Sequence, residues 1–422
     1  MGRPKKIKDE VNESSTQSVA TIVKKSEKVT ELTTANQKKL QTIIAKTNKL
    51  FGEGAVFRGG DAPRMDIEAI STGSMSLDEA VGVAGLPQGR IIEISGPEAS
   101  GKTILALSTI GQAQRAGKVA AFIDAEHALT PDWVRSIGVD FDNLLITQPD
   151  SGEKALSIMK YLIESGGVDI IVLDSVAALV TQREIDGDMD ANHMALTARL
   201  MSLALKKLTP IVSKSHCCCI FINQLRDNVG QMFGNKEVTP GGKALKFYSS
   251  VRLRASKKFK GEKFRGTGDD KEQIGHTVTV KVLKNKVAPP FKSAEFVIYY
   301  TSGIDQDSEV KALALSRGIV VKAESGNKHT FEELEWSSRK SFEEDMANDK
   351  ELIKRLKAKV IESLKDKNHE EKTTIVEKDG LIIDESTGEI LDEVVTDGDE
   401  PVDVGFSDEE ESTDEADGND NE

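Results

Sequence analysis

Gly96-Pro97-Glu98-Ala99-Ser100-Gly101-Lys102-Thr103 fits the pattern G-x-x-x-x-G-K-[ST]. It stands directly between an apolar run, IIEIS at 91–95, and an apolar-periodic stretch, Ile104–Ala116. A glycine-rich turn in that position lets backbone N–H groups curl around phosphates, and the helix N-terminus adds favourable partial positive charge. In this context Lys102 is expected to reach the β- and γ-phosphates of a nucleotide, and the Thr103 hydroxyl to bind Mg2+.

The surrounding pattern agrees with such a turn. Short apolar runs at 91–95, 119–124 (VAAFID), 143–147 (NLLIT), 168–174 (VDIIVLD) and 217–223 (CCCIFIN) are separated by helical patterns at Ile104–Ala116, Glu153–Ser165 and Met194–Ser213. Near-continuous hydrophobic strands alternating with helices predict an α/β fold with a mainly parallel sheet covered on both faces. VRLRAS, TVTVKVLKNK and AEFVIYY follow with few helical signals, so the sheet is expected to extend through more tightly connected strands. Upstream, Leu40, Ile43, Ile44, Leu50 and Phe51 recur at helical spacing, and this amphipathic helix needs cover from the main domain or another subunit. Residues 307 to about 368 read as a small separate domain containing the charged helix DKELIKRLKAKVIESL.

Composition excludes several classes. Hydrophobic residues make up 38% of 422, enough for a sizeable core and for two or three domains. No apolar run approaches the ~18 residues of a bilayer span, and basic Met1–Glu10 lacks the apolar stretch of a secretory signal. The formal charge of −14 argues at first against a nucleic-acid partner. Leu381–Glu422, however, holds 18 acidic residues and no Lys or Arg, which leaves +4 on the rest of the chain. Cys217-Cys218-Cys219 fits neither a disulfide framework nor a spaced zinc motif. The three are expected in a buried strand of a cytosolic protein, with a redox role as the alternative.

Other residues carry chemistry. Asp174 ends VDIIVLD, where a carboxylate at a strand's C-terminal edge can hold the Mg2+ shell, or serve merely as a turn residue. Glu126, just past FID, can orient an attacking water, and spacing alone leaves Asp124 and His127 as competitors. Lys284 and Lys286 are two apart on a strand and leave one face, which suits either a solvated edge or an anion. Gly2-Arg3-Pro4-Lys5-Lys6 can enter a DNA minor groove, although a solvated basic tail is the simpler reading.

From about Asn36 to Tyr300 the chain resembles the bacterial-type RecA family of homologous-recombination ATPases. The resemblance rests on ISTGSMSLDEAVGVAGLPQGRIIEISGPEASGKT, AFIDAEHAL, VDIIVLDSVAAL, FINQLR, MFGNKEVTPGGKALKFY and VLKNKVAPPFKSAEF, in that order. It implies a RecA-type P-loop ATPase core with a central twisted sheet, an N-terminal helix and a small α/β C-terminal domain. The corresponding divisions are a disordered basic arm at 1–34, an oligomerisation helix and linker at 35–66, the core at 67–306, a C-terminal domain at 307–372 and a disordered acidic tail at 373–422.

The resemblance implies a DNA-stimulated ATPase of the bacterial cytoplasm that forms a helical homo-oligomeric filament on single-stranded DNA, samples double-stranded DNA and exchanges strands. Recombination mediators and single-strand-binding proteins are the further partners expected, and no membrane. Glu126 matches the family's catalytic glutamate, and Gln224 the residue that senses the γ-phosphate. Lys284 and Lys286 match lysines that reach the neighbouring subunit's ATP, and Trp133 and Tyr300 fall near the adenine. The DNA loops match 184–199 and 223–243, where Arg199, Lys206, Arg226 and Lys243 supply cations and Gly241 and Gly242 flexible backbone. Met194 and Phe233 can pack against bases or at a subunit contact.

Departures from the family pattern occur at Thr130, where an Asp that contacts adenine is usual, at Asp227, Asn228, Gln231 and Lys243 in the second loop, and in a charged, glycine-rich insertion around Lys260–Gln273. They suit a divergent member, with a bacteriophage as a candidate source. A hexameric helicase on the same core and a non-enzymatic DNA-binding scaffold are the competing functional classes.

Overall fold

Strands buried on both faces need apolar side chains at every position, and the chain's central runs supply them. The computed structural model describes residues 34–59, 67–187, 196–227, 237–238, 240–266, 270–322, 327–365, 375–378, 381–384 and 389–393. The main sheet has nine strands: β1 (Ile91–Gly96), β2 (Ala120–Asp124), β3 (Leu145–Thr147), β4 (Ile170–Asp174), β5 (Cys218–Gln224), β6 (Val251–Arg265), β7 (Glu272–Asn285), β8 (Ser293–Tyr299) and β9 (Gly303–Ile304). Their spatial order is β9-β8-β7-β6-β1-β5-β4-β2-β3. Neighbours from β6 through to β3 pair in parallel, whereas β7, β8 and β9 join antiparallel.

Alternation along each strand divides the core in two. Ile170, Val172, Cys218, Ile220 and Ile222 belong to one apolar cluster, while Ile171, Leu173, Cys217, Cys219 and Phe221 belong to the other. The first cluster takes in α3 (Lys102–Arg115) through Ile104, Leu105 and Leu107. The second takes in α5 (Gly152–Glu164) through Leu156 and Met159, and α6 (Leu196–Ser215) through Met201, Leu205 and Leu208. Each fully buried Leu, Ile or Phe is worth about 1.5–3 kcal/mol. Burial also pushes the Cys217 thiol up to about 12 and those of Cys218 and Cys219 well above the usual thiol value, which makes all three inert at neutral pH.

Two compact units divide the chain, 1–69 and 70–422. In the first, α1 spans Thr34–Phe51, and Asn48 holds the following turn by hydrogen bonds to the backbone N and O of Val56. Leu50 and Phe51 on that helix are exposed. In the second, α2 (Met75–Val81) begins at the N-cap Ser74 and ends at Gly82, which takes the left-handed conformation. Its N-terminus is closed by Glu309, from α8 (Gln306–Ser316). The Glu309 carboxylate accepts from Ser74 Oγ (2.5 Å), Met75 N (3.0 Å), Ser76 N (3.0 Å) and Ser76 Oγ. Asp78, also buried, accepts from Ser71 Oγ (2.5 Å), Thr72 N (2.8 Å) and Thr72 Oγ1 (2.7 Å). Burial raises both carboxyls, Asp78 to about 6.

Beyond the sheet, α8, α9 (Arg339–Asn348), α10 (Lys350–Lys365) and three short strands enclose a third cluster around Trp336, Phe342 and Leu356. Residues 375–378, 381–384 and 389–393 form a three-stranded antiparallel sheet, so part of the stretch expected to be disordered carries strand structure. Residues 1–33 of the expected basic arm and 394–422 of the acidic tail lie outside the described residues.

Candidate active site

Register sets the site. Gly96 on β1 lies beside Gln224 on β5, and Asp124 on β2 beside Asp174 on β4, so the carboxyl ends of four adjacent parallel strands form one edge. Ligands of open α/β sheets bind at such edges.

The 96–103 turn is closely packed. A Cβ at Gly96 would come within 2.3 Å of the Ala255 carbonyl oxygen, and one at Gly101, where φ is +87°, within 2.7 Å of Ile298 Cδ1. Glycine is thus required at both positions, at Gly101 also by its backbone angle. Ser100 Oγ donates to Pro97 O (2.8 Å), while Lys102 Nζ donates to Gly96 O (3.1 Å) and Pro97 O (2.6 Å). Burial lowers the Lys102 pKa, and the carboxylates of Asp174, Glu126 and Glu98 oppose that shift. Glu98 and Ala99 complete the turn, with Ala99 at φ +54°.

Thr103 Oγ1 donates to Asp174 Oδ2 at 2.6 Å. Burial raises the Asp174 carboxyl to about 6 against the lowering effect of that hydrogen bond. One hydroxyl and one carboxylate beside a phosphate loop suit Mg2+, which usually keeps several waters and takes the rest of its shell from substrate phosphates.

Among the three candidates at and just past the end of β2, the structure separates the carboxylates. Asp124 is committed to its own loop: it accepts from Ala128 N (3.2 Å), Leu129 N (3.2 Å) and Gln148 Nε2 (2.9 Å). Glu126 instead faces the sheet edge, where its Oε1 accepts from Ser175 Oγ (2.6 Å) and Gln224 Nε2 (3.3 Å). His127 sits at φ +56° and is exposed.

A cleft of about 250 Å³ runs from Ala99–Ile104 to Trp133, His276, Ile298 and Tyr300. Trp133 Nε1 donates to Tyr300 O (2.9 Å), and the Tyr300 hydroxyl meets Gln273 Nε2 (2.8 Å) and His276 Nδ1 (3.2 Å). The phosphate turn and the two expected aromatic residues therefore share one cavity. Ser175, Gln148, Gln273 and His276 are residues that the sequence reading passed over. Each is a lone polar side chain whose partner is fixed by tertiary structure, and only Ser175, adjacent to Asp174, carried a positional hint.

Lys284 and Lys286 do not line this cleft. Lys284 lies opposite Arg252, and its Nζ donates to the carbonyls of Lys246 (2.7 Å) and Phe247 (3.0 Å). Burial, Lys286 and Arg252 lower its pKa.

On α6, Arg199 and Lys206 share a face with Ala198, Ser202 and Leu203 and line an open groove of about 450 Å³. Met201, Leu205 and Leu208 bury the opposite face. Gly241 (φ +79°) and Gly242 (φ +74°) turn against this region: a Cβ at Gly242 would lie 2.8 Å from Ala198 Cβ. Lys243 is exposed at the N-cap of α7 (Ala244–Tyr248). Arg226 belongs to a two-residue strand paired with Glu237–Val238. Met194 and Phe233, with Asn228 and Gln231, lie outside the described residues.

The family model for the RecA N-terminal domain matches residues 38–305. The chain belongs to the RecA family. Protein RecA of Ruminococcus albus is 53% identical over 297 residues, 70% of this chain and 73% of that protein. Protein RecA of Clostridioides difficile is 48% identical over 344 residues, 81% and 97% respectively. Protein RecA of Thermus aquaticus is 48% identical over 326 residues, 77% and 94%. A crystal structure of the RadB recombinase covers 56% of this chain and 98% of its own, at 24% identity and a TM-score of 0.42. As a RecA-family member the chain is an ATP-dependent recombinase of DNA recombination and repair, with DNA-dependent ATP hydrolysis. The relatives named here come from bacterial cells, and nothing found supports a bacteriophage source. No helix of the described residues is long and apolar enough to cross a membrane.

Proposed function

We propose that ATP binds with its phosphates in the 96–103 turn and its base against Trp133 and Tyr300. Lys102, released from the Gly96 and Pro97 carbonyls, pairs with the β- and γ-phosphates. Thr103 and Asp174 hold Mg2+, which supplies charge neutralisation at the phosphates. Glu126 orients the attacking water, and Gln224 reports the state of the γ-phosphate to the loop that follows it. Lys284 and Lys286 complete the site of an adjacent subunit, where they stabilise charge that develops in the transition state. Arg199, Lys206, Arg226 and Lys243 contact the phosphates of single-stranded DNA, Gly241 and Gly242 let the loop follow the strand, and Met194 and Phe233 pack against its bases.

The observation that carries this reading is the pair of hydrogen bonds on Glu126 Oε1, from Ser175 and from Gln224. The bond from Gln224 joins the hydrolytic carboxylate to the start of the second DNA loop, so one contact can couple ATP state to DNA. The protein thus works in the bacterial cytoplasm as a helical filament on single-stranded DNA that pairs homologous duplexes, served by mediators and single-strand-binding proteins. Strand exchange by wild type and Glu126→Gln, with electron microscopy of the filaments, tests it. Closed rings instead of helical filaments, or wild-type turnover in Glu126→Gln, would sink the reading.

A further inference from the structure

One buried polar atom, on a residue that lines the nucleotide cleft, has no partner. His276 lies on β7 opposite Ile298 of β8, is 1% exposed, and lines the cleft with Trp133, Ile298 and Tyr300. Its Nε2 is buried and makes no hydrogen bond.

The proton on that ring can be assigned from its neighbours. Gln273 Nε2 donates to the Tyr300 hydroxyl oxygen (2.8 Å), and the phenol proton is free to be donated to His276 Nδ1 (3.2 Å). Burial and the nearby Lys257 lower the His276 pKa, with Glu262 opposing, so the ring is neutral at pH 7 and carries one proton. With Nδ1 accepting, that proton is assigned to Nε2. A buried N–H donor without an acceptor is costly and calls for a ligand group.

The cleft has two chemically different ends. Backbone and cations at Ala99–Thr103 suit phosphates, whereas the end lined by aromatic residues, Ile298 and His276 suits a flat heterocycle. A purine placed there brings unprotonated ring nitrogens, which are hydrogen-bond acceptors.

We propose that His276 is a specificity-determining residue of the nucleotide site, donating from Nε2–H to one ring nitrogen of the purine base of ATP. The assignment rests on the nucleotide reading of this cleft. It gives the site a directional contact that aromatic packing alone does not supply, and it explains why a histidine interrupts the face of β7 otherwise formed by Ile274, Val278, Val280 and Val282.

The test is equilibrium binding of ATP and its 1-deaza, 3-deaza and 7-deaza analogues to the full-length protein with Mg2+. Wild type should lose about tenfold in affinity for one analogue and bind the other two like ATP. His276→Phe should abolish that difference, and His276→Gln, which places an amide donor near the Nε2 position, should restore part of it. If the phenylalanine variant fails to fold, His276→Asn serves: it can still meet the Tyr300 hydroxyl but has no donor at Nε2. Equal binding of all analogues by wild type, or a difference that persists in the Phe or Asn variant, would overturn the role of His276. ATP binding that ignores Lys102→Ala would instead overturn the nucleotide reading, and this inference with it.

Discussion

Gln224 Nε2 lies 3.3 Å from Glu126 Oε1, across 98 residues of sequence. The carboxylate that faces the sheet edge is thereby touched by the last residue of β5, from which the proposed second DNA loop departs. Breaking this contact should separate two activities. Gln224→Ala is expected to keep DNA-independent ATP hydrolysis within a few-fold of wild type while losing most of its stimulation by single-stranded DNA. Steady-state ATPase rates with and without DNA read this directly, and equal stimulation in both proteins would refute the coupling.

Glu126→Gln removes the anionic acceptor but keeps the side chain's shape. Turnover should fall on the order of 10²- to 10⁴-fold, the usual worth of a positioned general base. Binding of ATP and of DNA should remain. Single-turnover hydrolysis alongside nucleotide binding distinguishes lost chemistry from lost affinity.

The Thr103–Asp174 pair should make ATP affinity depend on Mg2+. Chelation is expected to weaken wild-type binding about tenfold or more. Thr103→Val should begin near the chelated value and lose little further. A valine variant that remains fully responsive to Mg2+ would remove Thr103 from the metal's shell.

Arg199 and Lys206 face one groove and lie two helical turns apart on α6. If each neutralises one phosphate, Arg199→Ala and Lys206→Ala should each reduce the salt dependence of single-strand binding by about 0.7 in log–log slope. Anisotropy titrations at several salt concentrations check this. An unchanged slope would show that these two cations do not meet DNA phosphates.

Asp78 gives a pH signature in stability. Its folded-state pKa of about 6 lies above the ordinary 3.8, so the folded state binds the proton more tightly. The associated stability is fully present below about pH 4 and is lost as pH rises through 6. The span corresponds to about 3 kcal/mol. Asp78→Asn should flatten urea stability between pH 4 and 6, with the slope that remains coming from Asp174 and Glu309, whose shifts have the same sign. An identical pH profile in the variant would show that Asp78 does not titrate in this window.

Truncation near Lys372 removes the acidic tail, which we read as an internal competitor for basic surfaces. Duplex binding at low Mg2+ should rise, and the difference should shrink as Mg2+ or salt increases. Superimposable binding curves would leave the tail as a solubilising segment.

The phosphate turn was legible because its pattern is written in eight consecutive residues, Gly96–Thr103, between an apolar run and a helical one. The strands were legible because burial on both faces leaves unbroken apolar runs, CCCIFIN among them. The choice among Asp124, Glu126 and His127 was not open to spacing, since it depends on Gln148 and Ser175, brought in by β3 and β4. His276 was invisible for the same reason. Its hydrogen-bond partner, Tyr300, is brought in just past β8, and a single histidine in a β-strand pattern carries no sign of the cavity it will line. The strands within 375–393 were hidden by acidic composition, which outweighed the short apolar pairs such as Ile382-Ile383.

The carboxylate of Glu309 has a consequence for how this molecule is made. The RecA N-terminal family match ends at residue 305, yet the donors at the start of α2 are closed by a side chain four positions later. A nascent chain that has emerged only to residue 305 has every strand of the main sheet and still leaves Ser74, Met75 and Ser76 without their acceptor. Vectorial synthesis, which favours N-terminal-first folding, therefore cannot finish this ATPase core from the N-terminal side. Its last fastening arrives from the ribosome with α8, and until then the first turn of α2 lacks its carboxylate acceptor.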